Sequence, residues 1–372
     1  MSASYILAAR RSPIVPRNGA FAELALHDLA APVILAALQD AGIAPRKVDE
    51  LILSNALGAG GNPARSAALA TGLRPEVAGL SVDRQCVGGL DALILADAMI
   101  RSGLHEIVVA GGAESYSRRP LRYRTFADGR PPQPYDQAPF TPWPERDPDM
   151  AEAADRLAGL HGISRDAQDA WAMRSHSDAR AAQPPGIAPP GVVPIHGQTQ
   201  DPFPRTLSPR LCAKAPVVHG SVTAANMAVA ADGAAFAIVV SERIAQAYGG
   251  GAQIVGRATL GGDPALPGLA PVAAIKAALA QADCQADALQ TAEIMEAFAV
   301  QALLCQRQSG IDRAILNPYG GGLARGHPIG ASGAVLAVNL FHRLQKTPGL
   351  GLAAIAAAGG LGTALLLRTD AP

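Results

Sequence analysis

Two stretches decide the fold: LAAPVILAALQDAGIAPRKVDELIL, residues 29–53, and LAPVAAIKAALAQADCQADALQTAEI, residues 269–294. Each reads as an amphipathic helix, a short polar turn and then a strand. Matching Ala36-Ala37-Leu38 to Ala277-Ala278-Leu279 gives an offset of 277 − 36 = 241 between the copies. A later match, VVAGGAES from Val108 with AAAGGLGT from Ala356, gives 356 − 108 = 248 and implies seven extra residues in the second copy. Two similar α/β halves follow, over 1–242 and 250–372. Strand-helix alternation with apolar, unalternating strands such as Ile107-Val108-Val109-Ala110 argues for mainly parallel sheets covered on both faces by helices.

Between the repeats, residues 116–215 carry more than half of the 30 prolines. This excursion is assigned as an inserted loop domain, 116–219, within the first half. Its middle, from Asp149 to Ala182, has helical periodicity, with Ser164 as an N-cap and Asp166 in the first turn, where the helix dipole favours it. A loop region of this length in a compact protein is usually a lid or a binding surface.

The chain has 372 residues, and its 31 Lys+Arg balance 31 Asp+Glu. That balance argues against a nucleic-acid or anionic-membrane partner, which a basic excess normally meets. Cys86, Cys212, Cys284 and Cys305 have no CxxC spacing, so neither a metal site nor a disulfide framework is expected, and a reducing cytoplasm fits. Leu350 to Leu367 runs 18 residues without a charge. Gly351, Gly359, Gly360 and Gly362 interrupt it, so the expectation is two buried strands joined through a glycine turn rather than a membrane span.

Two constellations can carry chemistry. Cys86, in DRQCVGGLDAL, precedes a nearly all-apolar helix expected to stop at Gly103. Free N–H groups and the positive dipole end of that helix would lower the thiol pKa and make it nucleophilic near neutral pH. The other reading of such a cysteine is a small buried hydrophobe. In NPYGGGLARGHPIGASGA, His327 sits among six glycines from Gly320 to Gly333. Those glycines either clear room for a substrate thioester beside an oxyanion-binding backbone or serve tight turns and helix packing. No P-loop, GxGxxG or GxSxG pattern is present at a fitting position.

Taken together, DRQCVGGLDAL with VVAGGAESYS, ISRDAQDAWAMRSH, GSVTAANMAVAADGAA, and GHPIGASGA with AGGLG resemble the thiolase family over nearly the whole chain. The resemblance implies two βαβαβαββ halves packed face to face in layered mixed sheets, a loop domain that holds coenzyme A, and a homodimer or homotetramer. It implies a CoA thioester as substrate, acyl-CoA or 3-ketoacyl-CoA, with no tightly bound cofactor. Cys86 matches the family's nucleophile and His327 the base that activates it. Met150, Ala228, Ala297 and Phe298 match the pantetheine channel, and the backbone N–H groups of Cys86 and Ala358 match one oxyanion hole.

Four positions depart from the family pattern. The second cysteine, which moves the proton at the acyl α-carbon, reads Ala356. The Asn that anchors a water in the other oxyanion hole reads Met295, whose thioether is a very weak acceptor and no donor. A pantetheine-contacting Ser reads Ala228, and an oxyanion Gly reads Ala358. A lost acid/base costs about 10²–10⁴-fold and a lost oxyanion donor about 10²–10³-fold. The expected function is therefore acyl transfer through Cys86 with an altered or slow carbon-carbon step. The alternatives are a thiolase-like lyase, another acyl transfer, or a non-catalytic CoA-ester-binding scaffold. For the missing proton carrier, Tyr319 is preferred over Cys305, which reads as core-facing.

Overall fold

The computed structural model describes residues 3–58, 60–184 and 186–370. The first half runs β1 (Ser4–Arg11), α1 (Leu26–Asp40), β2 (Glu50–Ser54), α2 (Pro63–Ala70), β3 (Leu80–Val82), α3 (Gly88–Arg101) and β4 (Ile107–Glu114). The excursion follows, with α4 (Met150–His161) and α5 (Arg165–Ala181), before β5 (Ala231–Ser241) returns to the sheet. The second half repeats the plan with β6 (Ala252–Gly261), α6 (Ala270–Gln281), β7 (Leu289–Ile294), α7 (Ala299–Gln308), α8 (Ile329–Lys346), β8 (Gly349–Ala357) and β9 (Leu361–Thr369). Its third strand is reduced to one parallel bridge between Ala292 and Leu316.

The strands form one path in the order β7-β8-β9-β6-β1-β5-β4-β2-β3. Along this path the two half-sheets are joined by the pairs Tyr5 with Gln253 and Ile6 with Ala252. One apolar cluster fills the space between the two half-sheets, built on α3 (Leu90, Leu93, Ile100) and α8 (Leu336, Leu340, Leu344). A second lies under α1 and α2, and a third unites α6 and α7 with the lobe helices α4 and α5. The layers thus read helix, sheet, paired helices, sheet, helix, as expected for packed α/β halves.

Two expectations need correction. The sheet is mixed and not mainly parallel: β2/β3, β2/β4 and β7/β8 are parallel, whereas β1/β5, β4/β5, β6/β9 and β8/β9 are antiparallel. Every residue of β4 and β5 is buried. Helices cover both faces, and this erases polar alternation whichever way a strand runs. The seven-residue insertion is also absent, because α3 and α8 begin at Gly88 and Ile329, and β4 and β8 at Ile107 and Gly349, offsets of 241 and 242. The matched glycine pairs are not equivalent. Gly111 and Gly112 lie inside β4. Gly359 and Gly360 adopt φ of 78° and 80° in the turn between β8 and β9, where side chains are disfavoured. That turn makes residues 350–367 the expected strand pair, and among the described residues no helix is long and apolar enough to cross a membrane.

Candidate active site

Cys86 lies in a single helical turn, Gln85–Val87, immediately before α3. Gln85 is held at φ 51°, an uncommon conformation for a side-chain residue, in a turn whose N–H is taken by Asp83 Oδ1 at 3.0 Å. The helix ends as its sequence predicts, at Arg101, with Gly103 left-handed and Leu104 N–H returning to Met99 O. His327 enters from the opposite half. Its N–H donates to Val229 O at 2.7 Å, and Ala230 bridges it in parallel.

The two residues meet because α3 and α8 cross on glycine. A Cβ at Gly89 would stand 2.8 Å from both Ala334 N and Gly330 O, and one at Gly333 would strike the backbone of Leu90. Glycines in GHPIGASGA therefore do serve helix packing, and the packing is what brings the thiol to the ring. Glu114 pins the same corner. Its buried carboxylate accepts from Gly330 N (3.0 Å), Ala56 N (3.1 Å), Leu57 N (3.3 Å) and Asn55 Nδ2 (2.6 Å).

His327 Nε2 lies 3.2 Å from Cys86 Sγ, and Nδ1 lies 2.6 Å from Ser332 Oγ. The Ser332 hydroxyl donates its one proton to Pro328 O at 2.9 Å, so it can only accept from the ring. That assigns the proton to Nδ1 and leaves the Nε2 lone pair facing the thiol.

The expected low thiol pKa is not met. Burial pushes Cys86 up to about 12, and the Glu114 and Asp83 charges add to the rise. The N–H groups of Cys86 and Ala358, both bonded to the sulfur, offset only part of it. Burial likewise holds His327 down, to about 4. At rest the pair is a neutral thiol and a neutral imidazole, so the sulfur becomes nucleophilic only as Nε2 takes its proton.

A cleft of about 400 Å³ opens onto the pair. Met150, Ala228, Ala297 and Phe298 all line it, together with Cys86, His327 and Ala356. Met150 opens α4, which Asp149 caps by accepting from Ala151 N at 2.8 Å. Ala228 is tied to Ala297 by an N–H···O bond of 2.9 Å. Met295 is buried outside the cleft lining, against Gly322 and beside Ser332.

Among the described residues no second cysteine lines the cleft. Cys305 is buried and donates to Gly268 O at 3.2 Å, the core-facing position its spacing predicted. Tyr319 is a correction: its ring lies under Arg343 and Lys346, its carbonyl binds Arg325, and it does not line the cleft. It cannot serve as the proton carrier. Sequence reasoning passed over Ser332, Glu114 and the polar lining residues Tyr116 and Arg122. The position of Ser332, on the first turn of the helix that follows His327, was the available signal.

Similarity to known proteins covers the whole arrangement. The family described as "Thiolase, N-terminal domain" matches residues 4–243, and "Thiolase, C-terminal domain" matches 250–369. A Bacillus subtilis protein named as a candidate acetyl-CoA C-acetyltransferase, YhfS, is 38% identical over 376 residues, 98% of each chain. A Staphylococcus aureus protein named in the same way, VraB, is 33% identical over 380 residues, 98% of this chain and 99% of its own. Among solved structures, the acetyl-CoA acetyltransferase of Bacillus anthracis superposes with a TM-score of 0.91 at 33% identity, covering 99% of both chains. Human mitochondrial 3-ketoacyl-CoA thiolase in complex with CoA gives 0.92 at 29%, covering 100% of this chain and 98% of that one.

Proposed function

The chain belongs to the thiolase family, and from that membership we propose that it is an acyltransferase acting on CoA thioesters, with Cys86 as nucleophile and His327 as base. One observation carries the reading: Sγ and Nε2 stand 3.2 Å apart at the wall of a 400 Å³ cleft. The thiol attacks the thioester carbonyl while Nε2 takes its proton. The backbone N–H groups of Cys86 and Ala358 would then receive the developing oxyanion. Collapse breaks the acyl–sulfur bond of the substrate, His327 returns the proton to the departing CoA thiolate, and the acyl group remains on Cys86.

In this reading pantetheine runs along Met150, Ala228, Ala297 and Phe298, and residues 116–219, inserted in the first half (1–242) and followed by the second (250–372), form the loop domain that holds CoA. A homodimer or homotetramer in the cytoplasm, working in lipid metabolism without a bound cofactor, goes with it. The second half-reaction is the altered one. Ala356 has no proton to give or take, so abstraction at an acyl α-carbon falls to His327 alone. That favours transfer to an acceptor already nucleophilic, as in a thiolase-like lyase or acyl transfer to a thiol.

The test is acyl exchange from acetyl-CoA or a longer acyl-CoA to dephospho-CoA, which needs an acyl-enzyme and no carbon acid chemistry. Exchange that disappears in Cys86→Ala is expected. No exchange with any ester would leave a CoA-ester-binding scaffold as the function.

A further inference from the structure

The cleft has two unlike walls. On the lobe side α4 and the segment around Phe298 present apolar groups, including Ala153, Ala154, Leu157 and Met227. Beyond Leu57, the start of the excursion adds polar groups to the lining, Tyr116, Arg122, Asp136 and Gln137, next to Ala138 and Phe140. Arg122 and Asp136 also line a second cavity of about 220 Å³, which is walled by Arg119, Pro120, Leu121, Pro134 and Tyr135. The hairpin that pairs Arg122–Arg124 with Gln133–Tyr135 encloses it. These two residues thus stand where the catalytic cleft adjoins a second chamber.

The charge at that junction is one-sided. Residues 116–136 hold five arginines (118, 119, 122, 124 and 130) against Asp128 and Asp136. Asp128 pairs with Arg130 at 3.1 Å, and Asp136, itself 92% exposed, pairs with Arg119 at 3.1 Å. Arg119 and Arg17 also lie over the Tyr116 ring, at 4.8 and 5.6 Å. Arg122 spends one Nη2 bond on Ala56 O at 3.1 Å, and among the described residues no carboxylate lies within ion-pair distance of it. A half-buried guanidinium with unused donors in a substrate cleft suits a planar anion, which it can grip with two parallel bonds.

We infer that the chamber at Arg122 is an acyl subsite for a carboxylate, so that the substrates are CoA thioesters of dicarboxylic acids. The inference rests on the acyl-transfer reading above, which puts pantetheine on the apolar wall and leaves the polar wall to the far end of the acyl chain. An apolar acyl end would strand Arg122 beside hydrocarbon, whereas an ω-carboxylate completes its hydrogen bonding.

The test uses N-acetylcysteamine thioesters in a matched series, succinate against butyrate and adipate against hexanoate. These carry no nucleotide phosphate, so only the acyl terminus can engage Arg122. Reaction transfers the acyl group to Cys86 and releases N-acetylcysteamine, which takes up the thiol proton through His327. The readout is the ratio of acylation rates for dicarboxylic over monocarboxylic esters at subsaturating concentration, followed by intact mass. Expected is a ratio of at least about tenfold for the best-fitting length, the scale of one charge-assisted hydrogen bond. It should collapse toward unity in Arg122→Met and survive in part in Arg122→Lys. Because each ratio is taken within one protein, any damage from losing the Ala56 contact cancels. A wild-type ratio at or below unity, or one that Arg122→Met leaves intact, overturns the subsite. So does an Arg122 effect confined to full CoA esters irrespective of acyl group, which would assign the guanidinium to the CoA phosphates. Acylation by none of these and by no CoA ester would overturn the acyl-transfer reading itself.

Discussion

Removing the Ser332 hydroxyl tests whether the histidine tautomer, and not only its presence, drives the chemistry. In the folded chain that hydroxyl is committed to Pro328 O at 2.9 Å and therefore accepts from Nδ1 at 2.6 Å. Ser332→Ala leaves Nδ1–H in a buried place without its acceptor, which costs about 1–3 kcal/mol. The ring can relieve this by moving the proton to Nε2, but that form turns an N–H toward Cys86 Sγ and cannot take the thiol proton. Since burial already holds His327 neutral, down to about 4, the lost preference is not recovered by protonation near neutral pH. At about 1.4 kcal/mol per tenfold, acylation should slow by roughly 5- to 140-fold. Ser332 does not line the cleft, so the concentration of acyl-CoA giving half-maximal rate should hold. Rapid-mixing acylation kinetics across substrate concentration separate the two effects, and Ser332→Thr, which keeps the hydroxyl, should restore part of the rate. An unchanged maximal rate in Ser332→Ala, or a change confined to substrate affinity, would refute the tautomer argument.

Other expectations follow from the same geometry. Ala356→Cys combined with Met295→Asn should raise acetoacetyl-CoA cleavage by about 10²-fold or more, the scale of a restored acid/base; family-like turnover in the wild type would show that these positions do not limit it. Glu114 is pushed up to about 7 by burial, so the folded state binds more protons than the unfolded between about pH 4.5 and 7 and loses stability as pH rises through that window. Glu114→Gln should remove about 3 kcal/mol of that loss, read as a flatter pH dependence of the urea midpoint relative to wild type; parallel curves would contradict it. Gly333→Ala drives a methyl into the backbone of Leu90 at the α3–α8 crossing and should cost about 1–3 kcal/mol by denaturant unfolding while acylation falls with it. A stable, fully active variant would mean that the crossing does not set the Cys86–His327 distance.

Much of this was legible in the sequence because the repeat copies a physical unit. The helix-turn-strand pattern at 29–53 and 269–294 corresponds to α1–β2 and α6–β7, and Cys86 and His327 stand out by their glycine surroundings. What escaped depends on neighbours that sequence spacing does not supply. Strand direction in β4 and β5 was invisible because helices bury both faces. Glycine pairs at 111–112 and 359–360 match as letters, yet one lies in a strand and the other in a left-handed turn. The helix terminus alone argues for a low thiol pKa, and burial, which sequence spacing does not reveal, outweighs it. Tyr319 falls within the glycine-rich motif, but its ring is turned away under Arg343, 4.8 Å from the guanidinium. Arg122 lies in a proline-rich stretch with no periodicity, and only the folded hairpin brings it to the cleft.

Peptide mapping after a rapid acid quench of wild-type protein with acyl-CoA tests the central claim most directly. The account predicts a single acyl thioester on the peptide containing Cys86, absent in Cys86→Ala and formed at least about 10²-fold more slowly in His327→Ala. An adduct on any other residue, or one whose rate ignores His327, would contradict it.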